Sequence, residues 1–189
     1  MAQYIKNFSF LLFFCTFLFE ALAQPSNNNC TSATTINLVA EVQTCTNGQT
    51  NVNATADAPY MSLISCSGNG GNQSNPAKDV WYKFVAADSS SLLDVSISGG
   101  TLSNIHIALW EGTKCPSLKG RGCVTASGGS LNTTFFGISP DSTYYLQVSG
   151  ASSTEEGTFN VCLKSYQTTT YCIDLQHISV NPPTIYGAY

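Results

Sequence analysis

The residues of this chain that could do chemistry are few: two histidines, a pair of adjacent glutamates and a set of cysteines. His106 and His177 are the only imidazoles in the sequence, and no G-x-S-x-G nucleophile motif accompanies them. His106 falls on the face of its predicted strand that we assign to solvent, so we interpret it as a surface histidine. Glu155 and Glu156 are neighbours in a predicted turn, whereas the two carboxyl groups of a glycosidase face each other across a cleft, about 5–10 Å apart. The pattern predicts no catalytic centre.

The cysteines indicate disulfides rather than a metal site. None of them stands in a C-x-x-C pair, and two histidines are too few to favour zinc. Cys115 and Cys123 flank a short polar loop between two predicted strands, so a bridge across the mouth of a hairpin is expected. Cys162 lies on the outer face of its strand, so its partner should come from a covering loop. The expected bridges are Cys115–Cys123, Cys30–Cys45 and Cys66–Cys162, and Cys172 is left over.

Three aromatic residues could bind a ligand. Trp81, Trp110 and Tyr145 all fall opposite the apolar positions of their predicted strands. If they are exposed, they form a platform on which a sugar ring could stack. The alternative is that loops or the N-terminal segment cover them, which we favour for Trp81.

Scattered aspartates offer oxygen ligands of the kind that calcium prefers. Asp79 and Asp141 are the candidates for a structural calcium site, although no EF-hand or repeat spacing joins them. Asp79 opens the most apolar strand of the chain and could instead accept hydrogen bonds from loop amides. Apart from this possible calcium ion, the sequence predicts no cofactor.

Composition and the N-terminus indicate an exported protein. Charged residues make up only 10% of the 189 residues, against roughly 25% in typical soluble domains. The formal net charge is -4 and the basic residues form no cluster, which disfavours nucleic acid as a partner. Residues 1–23 read as a signal peptide, with a basic Lys6, an apolar run over 8–19 and an A-x-A cleavage site at 21–23. No later segment is apolar enough to cross a bilayer.

The elements that must position these residues are strands. Asp79–Val85 is the densest run of aromatic and β-branched residues after the signal segment, and its alternation points Val80, Tyr82 and Phe84 to a core and Trp81, Lys83 and Val85 outward. Further alternating runs lie at 93–98, 105–110, 143–148 and 159–164, separated by Gly, Pro and Asp turns. Short strands are also expected at 34–39, 42–46, 122–126 and 131–138. Regularly spaced strands without helical periods predict an all-β protein, an antiparallel jelly-roll-like β-sandwich.

We expect the sandwich domain to span residues 24–167. Thr168–Thr170 resembles a linker, and the remainder of 168–189 starts a further segment. This segment is either the beginning of another part of a longer, truncated multidomain protein or a terminal strand that closes the sandwich.

Several of these stretches together resemble a known domain type. The pattern is similar to the pre-peptidase C-terminal type of β-sandwich domain, in the form found in large bacterial proteins exported by the type IX pathway, over most of residues 28–165. The resemblance implies an accessory module attached to proteases, adhesins or cell-surface proteins. Asn104 stands where many relatives have an acidic residue, which counts against a calcium role there. The stretches are N-N-C-T-S-A-T at 28–34, D-V-W-Y-K-F at 79–84, I-A-L-W-E-G at 107–112, S-T-Y-Y-L-Q-V at 142–148 and G-T-F-N-V-C at 157–162.

The function expected from the sequence is that of a secreted, non-catalytic module of a larger surface or exported protein. Its role would be adhesion, spacing or substrate presentation, with a surface glycan or protein and the downstream domains of the same polypeptide as partners. The alternative is a carbohydrate-binding module that uses Trp81, Trp110 and Tyr145. A hydrolase ranks third, because no polar constellation supports one.

Overall fold

The computed structural model of the protein describes residues 23–57 and 78–167. The predicted signal peptide up to residue 22, residues 58–77 with Cys66, and residues 168–189 with Cys172 and His177 lie outside the described residues.

Two β-sheets form the described part of the chain, which confirms the predicted all-β sandwich. One sheet has five strands in the order β1-β3-β8-β5-β6, and the other has four in the order β2-β9-β4-β7. Neighbouring strands are antiparallel, except that β1 runs parallel to β3. The strands are β1 Thr34–Thr35, β2 Thr44–Thr50, β3 Asp79–Val85, β4 Leu92–Ser98, β5 Asn104–Glu111, β6 Lys119–Ser127, β7 Leu131–Phe136, β8 Thr143–Gly150 and β9 Thr158–Tyr166.

The core lies between the sheets and is filled by alternate residues of each strand. Val80, Tyr82 and Phe84 of β3 are at most 1% exposed and face the core, as predicted. The apolar positions of β4, β5, β8 and β9 enter the same cluster. Side chains alternate between the two faces of a strand, so apolar residues at every second position all lie on one face. The sheets pair in the register that turns this apolar face of each strand toward the core.

The edges of the fold differ from the prediction. The expected strand at 42–46 is observed as β2, Thr44–Thr50, and so extends further along the chain, while the expected strand at 34–39 is reduced to Thr34–Thr35. A register shift between Thr46 and Gln49 lets β2 continue through Gly48, which has a positive φ of 64°. Polar, turn-prone residues are tolerated there because β2 is an edge strand whose side chains are largely exposed.

The predicted disulfide pairing is wrong. Cys30 bonds Cys115, and Cys45 bonds Cys162. Cys115 lies in the loop that connects β5 to β6, beyond the last paired residues of the two strands. Cys123 lies within β6, paired with Ala108 of β5, so the two cysteines do not face each other across the end of the hairpin. Cys123 is itself disulfide-bonded, and its partner is none of the other four described cysteines, which pair with one another.

The Cys45–Cys162 bridge ties an edge strand to its neighbour. The two residues are direct partners in the β2–β9 register and lie 117 positions apart in sequence. Closing so long a loop removes much conformational freedom from the unfolded chain.

We therefore expect the double variant Cys45→Ser, Cys162→Ser to lower the free energy of unfolding by roughly 2–4 kcal/mol in urea titrations under non-reducing conditions. In excess dithiothreitol the variant and the wild type should unfold at similar urea concentrations, because the wild type then lacks the same bridge. Equal stability without reductant would contradict this role.

Candidate functional site

The N-terminal segment covers the outer face of the five-stranded sheet, which we call the covered face. Asn27 and Trp81 exchange hydrogen bonds: the Trp81 backbone N–H donates to the Asn27 carbonyl (2.9 Å), and the Asn27 side-chain amide donates to the Trp81 carbonyl (3.1 Å). The segment continues into the turn at Cys30–Ser32, whose first residue is joined to Cys115. The Cys30 N–H donates to the Asp57 carboxylate (2.6 Å). A disulfide and a set of buried hydrogen bonds thus hold this cover in place.

The predicted aromatic platform does not exist in this form. Trp81, Trp110 and Tyr145 are 0%, 1% and 4% exposed. The two tryptophan rings lie 6.4 Å apart between centroids, at a tilt of 40°, in a second apolar cluster with Cys30 and Cys123. They point away from the main core, as the alternation predicted, but all three rings are buried in this cluster, to which Cys30 of the N-terminal segment and Leu118 of the loop after β5 both belong. The interpretation that Trp81 is covered is confirmed, and the ligand-binding assignment of the three aromatics is wrong.

His106 is buried and is not the surface residue that we predicted. It is 5% exposed, and its Nδ1 lies 3.1 Å from the Ser149 hydroxyl oxygen. Burial lowers the pKa of His106 to about 4, which favours a neutral imidazole near pH 7. The prediction failed because alternation shows which face of the sheet a side chain takes, but not whether that face is exposed to solvent.

Asp79, Ser149 and His106 form one row across β3, β8 and β5, but the row is not a catalytic triad. The register places Ser149 between the other two residues. In Ser-His-Asp catalysis the imidazole must stand in the middle, because it takes the serine proton while the carboxylate orients it. Here the carboxylate of Asp79 instead accepts from the side-chain amide of Gln147 and from the backbone N–H of Asp57. With the serine and the aspartate fully buried, the arrangement is structural.

The same contacts argue against the predicted calcium ligands. Asp79 lies at the start of β3, while the N–H of Asp141 bonds the carbonyl of Ala86, just past the end of β3. Six residue steps of a strand span about 20 Å, so Asp79 and Asp141 cannot share one ion. Within 23–57 and 78–167 no three His, Cys, Asp or Glu residues are grouped to hold a metal. The Asp79 carboxylate instead accepts a hydrogen bond from the backbone N–H of Asp57, in agreement with the alternative interpretation that it binds loop amides.

Glu155 and Glu156 hold loops together. The Glu155 carboxylate accepts from the Ser103 hydroxyl (2.8 Å) and from the Asn104 N–H (3.0 Å). Glu156 pairs with Lys78, and the hydrogen bond from Lys78 lowers the pKa of the Glu156 carboxyl. The two carboxylates are thus engaged with different loops, so the expectation of a freely solvated turn is wrong, and no general acid and base pair results.

The outer face of the four-stranded sheet, which we call the open face, is the remaining candidate site. Its floor is built from the polar positions that alternate with core residues along β4, β7 and β9. A groove of about 380 Å³ runs over it, within the range of small-molecule sites. The lining residues are Gln43, Asp94, Val95, Ser96, Asn132, Thr133, Thr134, Cys162 and Lys164.

The register orders this floor into rows across the sheet. One row runs Cys45, Cys162, Ser96 and Asn132, so the second disulfide lies in the floor. The next row runs Lys164, Asp94 and Thr134. The row after that is apolar and contains Tyr166, Leu92 and Phe136, of which Phe136 is 75% exposed.

Some polar groups of the floor are engaged and others are not. Asp94 accepts from the hydroxyls of Thr134 (2.6 Å) and Tyr166 (3.1 Å), which fixes its carboxylate. The side chains of Gln43, Ser96 and Asn132 make no hydrogen bond to any residue of the described ranges. Sequence reasoning missed these residues, although the polar positions between apolar ones along β4 and β9 already marked an uncovered face.

Comparison with solved structures finds similar chains. The chain is similar to the pre-peptidase C-terminal domain of a collagenase from Bacillus anthracis, with 18% identity over 70% of this chain and 94% of that chain, at a TM-score of 0.40. This is the domain type that the sequence motifs resemble. It is also similar to the CsCBM6-3 structure from Clostridium stercorarium in complex with cellobiose, with 10% identity over 72% of this chain and 98% of that chain, at a TM-score of 0.35. No protein-family model matches the sequence, and no curated protein matches it significantly.

Within the described residues, no helix has the length and apolar character needed to span a membrane.

The buried row predicts two opposite pH dependences. The pKa of His106 is lowered from 6.5 to about 4, so its contribution to stability is present above pH 6.5 and is lost as the pH falls toward 4. Burial raises the pKa of Asp79 from 3.8 to about 7, so its contribution is present below pH 3.8 and is lost as the pH rises through 7. Each shift corresponds to an effect on the order of 3 kcal/mol, and in the wild type the two oppose each other.

Single substitutions should separate these effects. Between pH 4 and pH 7, the unfolding free energy of His106→Asn should fall with rising pH relative to wild type, whereas that of Asp79→Asn should rise. Urea titrations at half-unit pH steps measure both slopes, and each variant serves as the control for the other. Parallel profiles for wild type and both variants would show that neither group is perturbed.

Proposed function

We propose that the chain is a non-catalytic module of a larger exported protein and acts by contact of its open face with a partner, in adhesion, spacing or substrate presentation. One observation carries the proposal: one outer sheet face is covered and closed by a disulfide, while the other keeps an open groove with unengaged polar side chains.

The absence of catalysis is supported by where the reactive side chains lie. His106 and Ser149 are buried in a row whose order does not match a triad, and Glu155 and Glu156 are engaged with loops. On the open face, the two described charged groups of the groove are Asp94 and Lys164. Asp94 already accepts two hydroxyl donors, and Lys164 lies 3.6 Å from the Glu41 carboxylate.

Export is supported by the disulfides and by the composition. Five described cysteines are all disulfide-bonded, which is typical of proteins that fold in an oxidising compartment. Together with the signal-like residues 1–23, this supports a secreted, cell-surface or extracellular location. The type IX route, the domain boundaries at 24 and 167, and further domains after 168–189 remain parts of the proposal.

The proposal is tested with the mature chain, residues 24–189, labelled with a fluorophore and incubated with the insoluble surface fraction of the cells that produce it. We expect retention that is lost in Ser96→Arg, because a long charged side chain would fill the centre of the groove. Ser117→Arg is the matched control, since Ser117 is exposed on the loop after β5, on the covered side of the sandwich. Unchanged melting temperatures confirm that both variants fold.

Equal retention of Ser96→Arg and wild type would contradict a role for the open face. Turnover of ester, amide or glycoside test substrates by the purified chain would contradict the non-catalytic part of the proposal.

A further inference from the structure

We propose that the open face binds a neutral polysaccharide strand, with the ring of Phe136 as a stacking surface and with Gln43, Ser96 and Asn132 as hydrogen-bonding groups. This inference rests on the proposed function and names the chemical class of its partner.

The charge of the groove favours a neutral ligand. Lys164 is the one basic group among the described residues that line the groove, and its Nζ lies 3.6 Å from the Glu41 carboxylate and 5.2 Å from the centre of the Tyr166 ring. Asp94 adds a second negative charge to the same region, so the groove has no excess of positive charge to attract an anionic polymer. Polyanion binding needs clustered Lys and Arg side chains. Acidic glycans and nucleic acids are therefore disfavoured.

The unengaged side chains suit hydroxyl groups. An amide offers both donors and an acceptor, and a serine hydroxyl does the same, which matches the dual character of sugar hydroxyls. Ser96 and Asn132 are neighbours in the disulfide row, while Gln43 precedes β2 at the opposite edge. Three strand spacings separate β2 from β7, about 14 Å, which is longer than one sugar ring. Groups spread over this width fit several consecutive sugar units better than a single one.

Phe136 supplies the apolar contact that a sugar ring needs. It is the most exposed of the large apolar side chains in the described residues, and it stands at the end of edge strand β7, two positions after Thr134. Leu92 lies beside it in the register and is buried, so the ring stands at the border between an apolar row and the polar floor. A sugar has an apolar ring face and a polar rim, and this border offers a surface to each.

A protein partner fits the same face less well. The centres of protein interfaces are depleted of charged residues and enriched in aromatic and other apolar anchors. The floor of this groove instead has Asp94, Lys164 and amide or hydroxyl side chains at its centre, and the exposed aromatic ring lies at its edge. A polar, shallow floor of this kind favours the polysaccharide.

The test compares retention of the labelled mature chain on the surface fraction after two treatments. Periodate, which cleaves the vicinal diols of sugars, should reduce retention at least tenfold, whereas exhaustive protease digestion should leave it within twofold. Retention should also change less than twofold between 0.1 and 0.5 M NaCl, because no ion pairs are involved. Loss of retention after protease, or survival after periodate, would overturn the inference while leaving the proposed contact function standing. No retention of the wild-type chain on untreated material would overturn the proposed function itself, and the inference with it.

Substitutions then locate the site. Phe136→Ala should weaken retention at least tenfold, and Asn132→Ala about threefold to tenfold. Val85→Ala is the matched control, because Val85 is an exposed apolar residue at the end of a strand in the other sheet and should have no effect. Both phenylalanine and valine are solvent-exposed, so folding should be preserved, and thermal unfolding verifies it. Unchanged retention of both open-face variants with intact periodate sensitivity would place the glycan elsewhere and overturn the assignment of this face.

Discussion

The docking of the N-terminal segment onto the five-stranded sheet is the constraint on which the rest of the structure depends. The segment reaches the sheet through the Asn27–Trp81 hydrogen bonds, the parallel pairing of β1 with β3 and the Cys30–Cys115 disulfide. Each contact joins residues about 50 or more positions apart, and the disulfide among them also constrains the unfolded chain.

Polar groups under this cover are stabilised by a connected network. The Trp110 indole N–H donates to the Gln147 side-chain oxygen (3.1 Å), and the Gln147 amide donates to Asp79, which also accepts from the Asp57 N–H. Asp57 in turn accepts from Cys30, the residue that anchors the segment. Because a buried carboxylate is unfavourable unless it is hydrogen-bonded, the network explains why an aspartate is compatible with this position. Asp79, which the sequence offered as a calcium ligand, therefore links the sheet to the N-terminal segment through Asp57.

The strand faces could be predicted from the sequence, but the cover could not. Alternation along β3 placed Val80, Tyr82 and Phe84 in the core because a two-residue period leaves one choice of buried face. The same alternation placed Trp81 and His106 outside the main core correctly, yet both are buried, and the pattern of a single strand cannot show whether its outer face is covered. Disulfide pairing failed for a related reason: Cys45 meets Cys162 through a strand register between distant segments, and spacing along the chain contains no information on that register. In the candidate site, the outward polar positions of β4 and β9 could be predicted from the alternation. The positions of Gln43 and Phe136 at the site could not, because they depend on β2 and β7 being the two edge strands of one sheet.

The covered face contributes mainly to the stability of the fold, whereas the open face is available for contact with a ligand. On the covered face, aromatic burial, a disulfide and the hydrogen-bond network leave little freedom for substitution, since most changes there would expose a buried group or open a cavity. On the open face, the core is already closed by the inward positions of β4 and β9, so outward residues such as Ser96 and Asn132 contribute little to packing. Polar groups that are unengaged in the folded state can then form hydrogen bonds with a ligand without breaking existing ones. The Cys45–Cys162 bridge holds the β2 edge of this face against β9, which gives the groove a fixed floor before any ligand arrives.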